Sequence, residues 1–130
     1  MAENERRIFE FSIRVPTLQL LAQSPNFELK TSDLRCALEA VFNPSGVDAE
    51  MIHGNQTRFS QIVRNMVSNR YRGHNIVNLG FVAYVPDRIK ERDGSLVLLL
   101  SGLDVLASLG YPVNEKLRGR VQTAQKGRGL

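Results

Sequence analysis

Between Gln56 and Arg70 the chain carries Gln56, Thr57, Arg58, Gln61, Arg64, Asn65 and Arg70, and no carboxylate occurs from Gln56 to Gly73. Arginine can donate two parallel hydrogen bonds to a guanine edge, and Gln or Asn can pair bidentately with adenine, so these side chains have the chemistry to address bases in a DNA groove. Arg70 and Arg72 at the end of the segment, with Arg88, Lys90 and Arg92 in a later charged loop, are better suited to phosphates. Phe59, Ile62, Val63, Met66 and Val67 are interleaved with them at i, i+3, i+4, i+7 and i+8. That spacing predicts a helix with one buried face, from which Arg58, Gln61, Arg64, Asn65 and Ser68 point away. Asn55 or Thr57 would cap it.

Other chemistry finds little support. His53 and His74 are the only histidines, Cys36 is the only cysteine, and their spacing matches no zinc motif. An "RGHN" string stands without the further ligands of a His-containing metal nuclease. No strand-turn-helix elbow or Gly-rich phosphate loop appears. The expectation is therefore a chain without catalysis, metal or cofactor. Cys36, inside an apolar helical pattern and unable to form an internal disulfide, is expected to serve packing.

The charge distribution supports the same segment. The whole chain of 130 residues carries a formal +4, but the charge is unevenly placed. Residues 1–55 hold five Lys/Arg against eight Asp/Glu, and residues 56–92 hold seven against two. Residues 93–110 hold two acids and no base, and residues 111–130 hold five bases against one acid. Clustered cations of this kind are the electrostatic footprint of a nucleic-acid or anionic-surface binder. The length suits one domain, and 42% hydrophobic residues suffice for a core. Neither a membrane-spanning run nor an apolar signal core is visible, so a cytoplasmic protein is expected.

Several elements must position these residues. Phe9, Phe11 and Ile13 alternate with polar residues, predicting a strand or arm over 8–14 that makes core or dimer contacts. Pro16 suits the first turn of a short helix ending at Ser24-Pro25-Asn26, and Phe27 to Lys30 reads as extended. Thr31 or Ser32 would cap a helix with Leu34, Ala37, Leu38 and Val41 on its buried stripe. After the basic helix, Phe81–Val85 and Leu96–Leu100 read as two strands around a charged tip with an Asp93-Gly94 turn. Ser101 would cap a last helix that Gly110 stops, and residues 111–130 read as a basic, mobile tail.

Three helices followed by a two-stranded hairpin make an α+β, mainly α chain in the order of a winged helix-turn-helix, with residues 16–110 as the domain and 1–15 as an arm. The segments "GNQTRFSQIVRNMVSNR", "NIVNLGFVAYV" and "LVLLLSGLDVLASLG" resemble the winged-helix domain at the N-terminus of Mrr-type restriction endonucleases. The resemblance implies a module for double-stranded DNA with a recognition helix over about 56–70. It also implies a context of restriction and defence, although transcription regulation fits the same residues. A separate nuclease or effector, or a second copy of the chain, would be its partner. The competing reading is a winged-helix scaffold that binds proteins rather than DNA.

Overall fold

The computed structural model describes residues 8–53, 56–87 and 94–130. Their order is α1 (Glu10–Gln23), β1 (Glu28–Lys30), α2 (Thr31–Phe42), β2 (Met51–His53), β3 (Gln56–Thr57), α3 (Arg58–Ser68), β4 (Val82–Val85), β5 (Ser95–Leu98), α4 (Leu100–Ser108) and α5 (Glu115–Gly127). The chain is thus mainly helical, with a small antiparallel sheet in the order β1-β5-β4 and a separate β2-β3 pair.

α1 replaces the strand expected over residues 8–14. The alternation there is misleading because Phe9 and Phe11 are exposed, whereas Ile13 is sealed together with Leu18 and Leu21 along one helical stripe. Burial of that stripe carries the helix through Pro16, which lies well inside it rather than in its first turn. Ser12 Oγ accepts the Phe9 amide at 3.3 Å and helps satisfy the open N-terminus. The chain leaves α1 through a 3₁₀ turn at Pro25–Phe27, where Asn26 and Phe27 both take positive φ. Phe27 tolerates this unusual backbone because its ring is buried and Arg120 lies 5.3 Å from the ring centroid.

The extended piece ahead of α2 is β1, which pairs with β5 in the register Glu28↔Val97, Leu29↔Leu96 and Lys30↔Ser95. β5 lies between β1 and β4 and is buried along its whole length. The second helix begins as expected, but no side chain caps it. Thr31 instead donates its hydroxyl to the Gly94 carbonyl at 2.8 Å, and its amide donates to the same oxygen at 2.9 Å. A Cβ at Gly94 would run into the Tyr84 ring, which would have to shift to admit it. On α2, Leu34 and Leu38 are buried while Val41 is exposed. Phe42 takes the inward position instead and meets Phe59 of α3 with ring centroids 5.8 Å apart. Cys36 is exposed and free, so it does not serve the core packing expected of it.

Two differences concern the C-terminal third. α4 starts at Leu100 and is not capped by Ser101, whose hydroxyl donates to the Gly80 carbonyl at 3.0 Å. The free Leu100 amide is taken by Gln125 Oε1 at 2.9 Å, from α5. The expected mobile tail is therefore a helix that completes the fold. Val121 of α5 is fully buried, with Leu117 and Ala124 packed beside it. Asn114 caps α5 by accepting the Leu117 amide at 2.8 Å, and Arg128 donates to the Asn26 carbonyl and to Glu28. The sequence signal was weak because three apolar residues on one face suffice for a helix that is otherwise basic. Val121→Asp, which would bury a carboxylate in this seam, is expected to cost at least about 2 kcal/mol in urea unfolding. A mobile tail would register no change.

Candidate nucleic-acid interface

α3 spans Arg58–Ser68, shorter at both ends than the 56–70 expected. Phe59, Val63, Met66 and Val67 hold its inner face in the core, and Ile62 is half-buried against it. The terminus is set by Thr57, which accepts the Ser60 amide at 3.0 Å. Its hydroxyl is thereby committed to capping. Gln56 stands one residue earlier, half-buried in β3 and paired across to His53 in the backbone register.

The outward face carries Arg58, Gln61, Arg64, Asn65 and Ser68, as the periodicity predicts. Gln61 is half-buried, and the others are exposed. Gln61 Nε2 donates to Asn65 Oδ1 at 2.8 Å, so one helical turn is bridged by two amides. Arg58 Nε lies 3.7 Å from Glu50 Oε2, an exposed pair of the kind worth about 0–1 kcal/mol and readily exchanged for another anion. The Arg64 side chain has no hydrogen-bond or ion-pair partner among the described residues and points to solvent.

Arg70 and Arg72 part company. Arg70 folds back over the Tyr84 ring of β4 at 4.3 Å and the Tyr71 ring at 5.0 Å, while its terminal nitrogen donates to the Val67 carbonyl at 3.0 Å. Its ε-nitrogen is buried without a hydrogen-bond partner. Arg70 therefore fastens the end of α3 to the β4–β5 hairpin. Arg72 is exposed beside Asn69 and Asn65, on the same side of the molecule. Arg88, Lys90 and Arg92 lie outside the described residues.

Sequence reasoning missed Asn69 and His74, which join Asn65 and Arg72 around one cleft. The i, i+4 spacing of Asn65 and Asn69 was the available signal for the first. His74 reaches the cleft only through the turns after α3, which periodicity does not describe. In and just after α5, Arg118 pairs with Asp104, Arg128 with Glu28, and Arg120 lies over Phe27. Hydrogen bonding to Asp104, followed by its charge, raises the Arg118 pKa further above its ordinary value. Among the described residues no group of three or more His, Cys, Asp or Glu is placed to hold a metal ion. No described helix is long and apolar enough to cross a membrane.

No family model, curated protein or solved structure matches the chain.

The two arginines separate in a stability test. Arg70→Ala should lower the unfolding free energy by about 1 kcal/mol or more through lost ring stacking. Arg64→Ala should stay within about 0.5 kcal/mol of the parent, as surface changes do. Chemical denaturation of the two variants side by side checks both.

Proposed function

We propose that this chain is a winged-helix DNA-binding module in which α3 enters the major groove and the β4–β5 hairpin lies beside it as the wing. The observation that carries the reading is the outer face of α3: Arg58, Gln61, Arg64 and Asn65 stand along it, and the segment around them contains no carboxylate. The carboxylate beside that face, Glu50, is held in an exposed pair with Arg58 for which an anionic duplex can compete, and the side chains offered are those that bond base edges. The order α1, β1, α2, α3, β4, β5, with β5 between β1 and β4, agrees with the winged arrangement. So does the resemblance of the α3 segment to the DNA-binding domain of Mrr-type endonucleases. The link from α2 to α3 is longer than the roughly three- to four-residue turn of the simple motif. It contains a 3₁₀ turn at Gly46–Ala49 that packs against α3 and the β2-β3 pair that leads into it.

In this reading Arg58, Gln61, Arg64 and Asn65 read bases, Arg72 holds a phosphate, and Arg70 acts indirectly by orienting α3 against the hairpin. Gln56 and Thr57 set the helix start. Lys90, Arg88 and Arg92 of the tip sequence are assigned to phosphates. The module performs no catalysis of its own, and restriction or transcription control would follow from a separate effector.

The test is fluorescence anisotropy with labelled duplexes across a salt series. Binding to random duplex should weaken steeply with salt, and Arg72→Gln should flatten the slope of log K against log salt by about 0.9. On a duplex selected from a random library, Arg64→Ala should lose roughly 1–3 kcal/mol and relax the preference at one base pair. Absence of salt-dependent duplex binding by the parent chain would overturn the proposal.

A further inference from the structure

Two clefts adjoin beside α1 and share Arg14 and His74 as a common wall. One, of about 300 Å³, is apolar, with Phe11, Val15, Leu18, Ile76, Phe81 and Val105 among its lining. The other, of about 380 Å³, is polar and holds Asn65, Asn69 and Arg72. Together they fall in the size range of small-molecule sites, which pair an apolar body with a few convergent polar groups.

The charge of the polar half is specific. Glu10 is the one carboxylate lining either cleft, and Arg14 neutralises it by donating Nε to Oε2 at 3.0 Å and a terminal nitrogen to Oε2 at 2.6 Å. The side chains of Arg72 and His74 have no hydrogen-bond or ion-pair partner among the described residues. A guanidinium and an imidazole, both able to donate, thus face the same cavity with no protein anion left for them.

The apolar half is unsatisfied in the complementary way. α1 carries apolar residues around most of its circumference, and the part of it left uncovered lies at Phe11. Phe11 is 76% exposed and Leu79, also on the cleft, is 44% exposed. The far wall is rigid. Asn75 donates Nδ2 to the Met66 carbonyl at 2.6 Å and accepts the Val77 amide at 2.9 Å, and Asn78 Nδ2 reaches the Gly73 carbonyl at 2.7 Å. The cavity is therefore preformed.

We propose that the double cleft binds a small amphiphilic anion, with its aromatic or aliphatic body against Phe11, Leu18, Ile76 and Phe81 and its acidic head on Arg72 and His74. The apolar floor excludes an inorganic anion as the full occupant, and the cationic end distinguishes the ligand from a neutral hydrocarbon. The cleft shares Arg72 and Asn65 with the proposed DNA-binding face, but the inference does not rest on that reading and its test contains no DNA.

Anilinonaphthalene sulfonate is titrated into the full chain by fluorescence, with sodium decanoate as competitor. A saturable one-to-one rise, displaced by decanoate, is expected. Arg72→Gln should weaken it about tenfold, the loss of one charge-assisted contact. Phe11→Ser, at an exposed position that leaves the core intact, should weaken it comparably, while Lys126→Gln at an exposed position of α5 should leave it unchanged. Three results would overturn the proposal: no saturable signal, a signal that both cleft variants leave intact, or a stable dimer in sedimentation that excludes the probe.

Discussion

Ile13, Leu18 and Leu21 are sealed on the inner side of α1, and nearly every other layer is built against them. α1 touches α2, α3, α4 and β5. Each such side chain contributes roughly 1.5–3 kcal/mol on burial, which is enough to carry a helix through a proline. Because α1 fixes the positions of α3 and of β5 at once, it also fixes where the outer face of α3 stands relative to the hairpin. The basic surface is a consequence of that placement, since the inner face of α3 has nowhere else to go.

Polar contacts then lock the pieces whose burial is thinner. Thr31 and Gly94 join the start of α2 to the hairpin, Gln125 supplies the hydrogen bond that the first turn of α4 lacks, and Arg70 spans from α3 to Tyr84. Each closes a gap left by elements too short to hold one another by apolar area alone. Gly102 plays a steric part in the same set: a Cβ there would lie 2.2 Å from the Phe81 carbonyl oxygen, so only glycine lets α4 sit that close to the start of β4.

The segments with strong, one-sided periodicity were legible in the sequence. α3 could be read because Phe59, Val63, Met66 and Val67 form one face and polar residues the other. The hairpin could be read because two short apolar runs, FVAYV and LVLLL, flank a charged tip. The first turns of α1 were misread because their outer side is also apolar, so Phe9, Phe11 and Ile13 imitate the period of a strand, whereas its second half, from Pro16 to Ala22, was legible as helix. α5 was missed for the opposite reason, since its few apolar residues are diluted by Lys, Arg and Gly. Arg58, Arg64 and Asn65 were placed on the outer face of α3 from type and spacing. The inward turn of Arg70 and the cleft at His74 were not legible, because both depend on residues brought together from different elements.

By itself the sequence determined which stretches are helical or extended wherever one face alone is apolar, and it determined that the α3 segment presents cations and amides without acids. These are local properties, set by residue type and by the fixed periods of helix and strand. Only the tertiary structure decided that the first helix begins at Glu10 in place of an extended arm, that α5 belongs to the core, and that Arg70 braces while Arg64 and Arg72 remain open to solvent. Those outcomes turn on which neighbour covers a given side chain, and neighbours distant in sequence are supplied by the fold.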